Sequence, residues 1–133
     1  MDMENDNVMA ARRILAAIEA GDEVALREFY TREAVQVEHP NRLKPQGDRR
    51  GVEQMMADLK RGKSMLLSEH YDVESVTAFG DSVALQVVWR GVVNMAIGKL
   101  QPGDEMVCES GIFLQFQGGR VTEQHNYDCF APF

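Results

Sequence analysis

The second half of this chain is a succession of strand-like segments separated by glycine turns, and that succession limits the fold more than any other feature. Residues 67–79 run up to Gly80-Asp81. Residues 82–95 follow, with Val83, Leu85, Val87 and Trp89 at alternating positions. Pro102-Gly103-Asp104 turns the chain into residues 105–117, and Gly118-Gly119 leads into a last strand. Consecutive strands joined by turns make an antiparallel meander. The first half reads differently. Val8, Ala11, Ile14, Leu15 and Ile18 recur at helical spacing and predict a helix over residues 7–20, capped by Asp6 or Asn7 and stopped by Gly21. Asp22 caps a short second helix through Phe29, and residues 34–38 form a short strand. Residues 39–50 read as a loop, because Pro40, Asn41, Pro45, Gly47 and Asp48 break regular structure. Val52, Met55, Met56 and Leu59 stripe a third helix over residues 52–61, ended by Gly62. Helices first and strands after indicate an α+β domain with the helices on one face of the sheet. A sheet bent around those helices makes a cone with an open mouth.

Composition narrows the function classes. At 133 residues the chain is the size of one domain, spanning residues 1–133, and its formal charge is -7. An acidic chain with scattered basic pairs lacks the clustered Lys and Arg that phosphate binding needs, so no nucleic-acid partner is expected. No apolar run is long enough to cross a bilayer, which excludes a membrane span, and the acidic start Met1-Asp2-Met3-Glu4 is unlike a signal peptide, so a cytoplasmic location is expected. Cys108 and Cys129 have no CxxC partner and read as buried thiols rather than a disulfide. Glu38-His39, Glu69-His70 and His125 lack the spacing of metal ligands, and no glycine-rich phosphate loop is present, so neither metal nor cofactor is expected.

The last strand carries the chemistry. Gln124, Asn126 and Asp128 fall at every second position and therefore share a face. That face is either a pocket wall or solvated; in the second case Val121, Tyr127 and Cys129 point inward instead. His39 ends a strand just before Pro40. Its imidazole titrates near neutral pH and suits proton transfer, or it simply braces the loop. Trp89 is read as core packing beside Val87 or as the wall of a ligand site.

The order of elements, with Ala20-Gly21-Asp22, Phe29-Tyr30, Val37-Glu38-His39-Pro40, Gly80-Asp81, Trp89-Arg90-Gly91 and Gly119-Arg120-Val121-Thr122-Glu123, resembles the nuclear transport factor 2-like superfamily. That superfamily includes the SnoaL-like, ketosteroid-isomerase-like and limonene-epoxide-hydrolase-like groups. The resemblance covers nearly the whole chain. It implies a cone-shaped, cystatin-like α+β fold, three N-terminal helices on a strongly curved antiparallel sheet, a homodimer formed through the sheet, and a small apolar organic ligand. The ketosteroid-isomerase base falls on His39, its oxyanion tyrosine on Ile14 and its oxyanion aspartic acid near Ile112. Two of the three groups are thus apolar here, so that mechanism does not carry over. The epoxide-hydrolase Asp-Tyr pair is Asn126-Tyr127 here. SnoaL-like cyclases place an acidic base on the last strand, where Asp128 lies. The resemblance therefore implies a cofactor-independent pocket protein, either an isomerase, cyclase or hydrolase or a non-catalytic module that binds a ligand or dimerises through its convex face. As an enzyme it would use His39 as acid/base, Asp128 as a second carboxylate, Asn126 and Gln124 as anchors and Trp89 as a wall. Fold alone does not choose between these classes.

Overall fold

A computed structural model describes residues 2–133. Helix α1 (Met3–Ala20) is followed by α2 (Glu23–Glu28), strands β1 (Tyr30–Glu38) and β2 (Asp48–Arg50), helix α3 (Val52–Met65), and strands β3 (Leu66–Phe79), β4 (Ser82–Val93), β5 (Glu105–Gln117) and β6 (Arg120–Phe130). The six strands form one sheet in the order β2-β1-β6-β5-β4-β3. The β3–β6 meander is antiparallel, as the turns predict, while β1 docks in parallel against β6. The helices pack on one face of the curved sheet, which is the expected α+β cone.

The caps explain most of the helix boundaries. Gly21 takes the left-handed φ of 66° that ends α1, and the Asp22 carboxylate accepts the Ala25 amide to start α2. Two boundaries differ from the sequence reading. Helix α1 begins earlier, capped by Asp2, and Asn7 is a buried residue inside it whose amide donates to Asp81 in the β3–β4 turn. Gly62 does not end α3. It has no positive φ, and the helix runs on to Met65 before turning directly into extended backbone at Leu66. The expected loop 39–50 also gives up its last three residues to β2, which pairs with Gln36–Glu38. An ion-pair network around Arg50, described below, accounts for that pairing.

The core lies between α1, α3 and the concave face of the sheet. Ala11, Ile14 and Leu15 of α1 and Met55 and Met56 of α3 meet Val83, Leu85 and Val87 of β4, Ile112, Leu114 and Phe116 of β5, and Val121 of β6. Burying an aliphatic side chain of this size contributes about 1.5–3 kcal/mol, so this layer holds the helices on the sheet. It fills the narrow end of the cone. Toward the mouth, polar side chains replace it.

Candidate ligand pocket

Strand β6 divides the molecule's polar chemistry between two faces. Gln124, Asn126 and Asp128 point to the concave side, where Gln124 is 3% exposed. His125 and Tyr127 point to the convex side. A bulge sets this parity. Gln115 faces Glu123 and Phe116 faces Val121, so Thr122 is an extra residue in β6. It allows Val121 and Gln124, an odd and an even position, both to turn inward.

Two connected chambers open on the concave side. The inner one, about 190 Å³, is lined mainly by apolar groups from α1, β4 and β5, with Tyr30, Gln36, Arg50, Asp58 and Gln124 supplying its polar edge. The outer one, about 310 Å³, reaches the mouth past Leu43, Leu66 and Phe130 and holds Glu38, Glu69, Trp89, Ser110 and Asp128. Arg50, Tyr71, Ile112 and Asn126 border both. Pockets with mostly apolar walls and a few placed polar groups are the usual form of small-molecule sites.

The polar groups form three linked sets. In the first, the Tyr30 hydroxyl donates to Gln124 Oε1 at 2.5 Å, and Gln124 Nε2 donates to Asn126 Oδ1 at 2.9 Å. Because each carbonyl oxygen is already used, Asn126 Nδ2 is left as a hydrogen-bond donor at the junction of the chambers. Burial keeps the Tyr30 phenol protonated by pushing its pKa up, against a smaller opposing effect of the Arg50 charge. In the second set, Arg50 contacts Glu38 at 2.9 Å, Asp58 at 2.7 Å and Gln36 Oε1 at 2.5 Å. This ties β1, β2 and α3 together beneath the mouth. Asp58 is pushed up by burial, but the hydrogen bonds from Arg50 and Gln54 and the charges of Arg50 and Arg61 outweigh that and hold it below the usual carboxylate range.

The third set is centred on Asp128. Its Oδ1 accepts the Ser110 hydroxyl at 2.7 Å, and Ser110 Oγ lies 3.4 Å from Cys108 Sγ. Burial raises the Asp128 pKa; the Ser110 hydrogen bond and the Arg50 charge pull it down, and the Glu38 charge pushes it up, with the net shift upward. Tyr71 stands across from it on β3. Burial, then the charges of Glu69 and Asp128, raise its phenol pKa, and no described residue hydrogen-bonds its hydroxyl. Trp89 completes the wall, its indole Nε1 donating to Glu69 Oε1 at 3.0 Å. Glu69 in turn meets Lys63 at 3.0 Å. The Cys108 thiol is pushed up to about 12, chiefly by burial, and has no thiolate character for nucleophilic work.

Of the five side chains singled out from the sequence, Asn126, Asp128, Gln124 and Trp89 come together around these chambers. His39 does not. Its amide bonds to the Asn126 carbonyl, and its ring stacks on Tyr127 with centroids 3.9 Å apart. Its Nε2 lies 2.8 Å from His125 Nδ1. His125 and Tyr127 border a separate groove of about 700 Å³ on the convex face with Phe113 and Cys129. The reason is register: β1 runs parallel to β6 with Glu38 beside Asn126, so Glu38 shares the concave face and the next residue turns away. Ile14 and Ile112, where the ketosteroid-isomerase donors would lie, do line the inner chamber, but as hydrocarbon. Sequence reasoning missed Tyr30, Tyr71, Arg50 and Ser110. Tyr71 alternates with Glu69 and Val73 on β3, a pattern open to inspection, whereas Tyr30 gains its role through the parallel β1–β6 pairing and Arg50 through the antiparallel β1–β2 pairing and the approach of α3.

A SnoaL-like domain model matches residues 11–124. No curated protein matches the chain in sequence. Solved structures match it closely in shape. IdmH of Streptomyces antibioticus, a proposed polyketide cyclase, superposes with a TM-score of 0.78 at 20% identity over 92% of this chain and 91% of its own. A proposed SnoaL-like polyketide cyclase from Jannaschia sp. CCS1 gives 0.77 at 21% identity over 96% and 88%. AclR of Streptomyces galilaeus, a proposed hydroxylase, gives 0.77 at 17% identity over 94% and 79%. At these identities the structures establish the shared fold, and the domain match, which covers the pocket from α1 to Gln124, establishes that the chain belongs to the SnoaL-like family.

Proposed function

We propose that the chain binds a small, largely apolar organic molecule bearing a carbonyl group in the two chambers and transfers a proton on it, with Asp128 as acid/base. The observation that carries this reading is the convergence on one cavity of a carboxyl with a raised pKa and two donors with nothing else to bond, Asn126 Nδ2 and the Tyr71 hydroxyl. A carboxylate whose pKa is raised is a stronger base than one in water and recovers its proton more readily. Donors fixed before the ligand arrives stabilise the negative charge that develops on a carbonyl oxygen when a neighbouring C–H is deprotonated. The Tyr30–Gln124 hydrogen bonds hold Asn126 in the donating orientation, and Ser110 orients Asp128. Trp89 supplies a flat apolar wall. His39 has no part in this cavity in the proposal.

The proton-transfer step is testable without knowing the natural substrate. 2-Tetralone carries exchangeable protons beside its carbonyl, and their replacement by deuterium in heavy water is followed by proton NMR. The protein is expected to accelerate this exchange, with a rate that rises with pH as Asp128 ionises and then levels off. Asp128→Asn should abolish the acceleration while 2-tetralone still raises the melting temperature. Asn126→Ala should weaken binding as well as exchange. Full exchange activity in Asp128→Asn removes the carboxyl from the chemistry. Binding without exchange in the unsubstituted protein favours the non-catalytic ligand-binding module.

We also propose self-association through the convex face of the sheet. That face has no helix over it and exposes Phe113 and Tyr127, 49% and 46% exposed, in edge-to-face contact. Sedimentation should give a dimer that Phe113→Glu converts to monomer; a monomeric unsubstituted protein at micromolar concentration refutes this.

A further inference from the structure

We propose that Gly91 is a specificity-determining position: it is the socket in which the Trp89 indole lies, and its missing side chain sets the size of the outer chamber. This inference rests on the reading of the chambers as a ligand site. The backbone at Gly91 is ordinary, with no positive φ, so its conformation does not require glycine. Space does. A Cβ built on Gly91 would lie 2.4 Å from Trp89 Cη2 and 2.5 Å from Cζ2, with Leu66 Cδ2 at 3.1 Å on the far side. Carbon atoms in contact prefer about 3.5–4.0 Å, so even alanine forces the ring to move by roughly 1 Å or more.

The direction of that movement follows from the surroundings. Trp89 and Gly91 are two residues apart on β4 and share the concave face. The ring leans over Gly91 toward Glu69, which is Gly91's register partner on β3, and this brings the indole Nε1 to Glu69 Oε1. Glu69 is held from behind by Lys63, whose ammonium also bonds to the Glu19 carbonyl at the end of α1. The floor beneath the ring is paired strand on both sides, to Glu69 and to Met106, and cannot recede. A displaced indole therefore leaves its carboxylate and rises into the outer chamber. Glu69 and Lys63 are positioning residues in this scheme, acting on the ligand through Trp89.

The chain has one tryptophan, so its indole N–H gives one resonance. In the ligand-free protein that resonance should lie downfield and exchange slowly with water, as expected for a hydrogen bond to a carboxylate. Gly91→Ala should move it upfield and speed its exchange, and Glu69→Gln should shift it while leaving the cavity volume alone. Ligand selection is then read by titrating cyclohexanone and 2-tetralone. Gly91→Ala should weaken the larger ketone by about tenfold or more, the order of effect a methylene makes in a tight pocket, and the smaller one little. Trp89→Leu, which needs no new space and widens the chamber, should shift the preference between the two ketones toward the larger one, the opposite direction to Gly91→Ala, and keeps the test open if Gly91→Ala does not fold. An unmoved resonance in Gly91→Ala overturns the socket. A moved resonance with equal loss of both ketones overturns the specificity role. Binding of neither ketone by the unsubstituted protein refutes the pocket reading and the specificity role together, and the ligand-free resonance distinguishes that failure from a failure of the socket.

Discussion

Replacing Arg50 with methionine tests whether the polar network under the mouth is desolvated. Methionine keeps much of the arginine stem's packing and removes the charge. It leaves Glu38 and Asp58, whose side chains are each 12% exposed, without the cation they share. Each retains a poorer partner: Lys44 lies 3.5 Å from Glu38, and Arg61 lies 2.6 Å from Asp58 but is 62% exposed. Exposed pairs contribute about 0–1 kcal/mol, whereas removing one partner of a buried pair costs about 3–5 kcal/mol. The expected loss at neutral pH is therefore about 3 kcal/mol, the lower end of the buried range. The pH dependence makes the test specific. In the native protein Asp58 lies below its ordinary pKa, so it contributes stability above the usual carboxylate range and loses that contribution as pH falls. Without Arg50, two of the contributions that lower its pKa against burial are gone, so the variant has less of this stability to lose as pH falls. The gap between the two proteins should be wide at pH 7 and clearly smaller at pH 4.5, measured by urea unfolding at each pH. A gap below about 1 kcal/mol at pH 7, the value for an exposed pair, or one equal at both pH values, refutes the claim that these carboxylates are out of water.

Tyr30→Phe leaves Gln124 Oε1 buried without its donor, at a cost of about 1–3 kcal/mol in chemical unfolding, and should reduce 2-tetralone affinity through Asn126 although Tyr30 does not depend on ligand contact for its role. Asp128→Asn should remove a pH dependence: a carboxyl with a raised pKa makes the folded state lose stability as pH rises from the ordinary carboxylate range through the raised value, so the variant's stability should fall less over that interval. An identical pH profile for both proteins would show that Asp128 titrates as it does in water. Cys129, expected from the sequence to be buried, is exposed because it falls on the convex face of β6; in the monomeric Phe113→Glu variant it should react with a thiol reagent at pH 8 within minutes and buried Cys108 only on unfolding, and equal rates at the two sulfurs would contradict the closed packing around Ser110.

How much of this was legible in the sequence follows from the range of the interactions involved. Turns and caps are local, so Gly21, Asp22, Gly80-Asp81 and Gly118-Gly119 marked the elements correctly. The stripe at Val52, Met55, Met56 and Leu59 located α3. Its end was misplaced because Gly62 signals a stop only where the backbone takes a positive φ, and here the chain continues through Lys63, whose side chain lies along Gly21. The alternation of Gln124, Asn126 and Asp128 was visible, but whether they faced hydrocarbon or water depended on the helices opposite. The role of Arg50 was hidden among loop residues because its partners come to it from two other elements, Gln36 and Glu38 from β1 and Asp58 from α3.

His39 shows the same limit from the other side. The resemblance drawn from the sequence put an acid/base at its position before Pro40, yet a strand changes face at every residue, and the parallel docking of β1 on β6 places Glu38 beside Asn126. Once Glu38 is committed to Arg50 on the concave side, the chain at His39 is turned toward Tyr127 and His125. Motif position along the sequence thus carries less information than parity across the sheet. The bulge at Thr122 acts on the same variable: it lets Val121 join the core while Gln124, Asn126 and Asp128 remain in the cavity. A single extra residue in this strand thus decides which polar groups enter the closed chamber and which meet the open surface, while Val121 keeps its place in the core that holds the cone together.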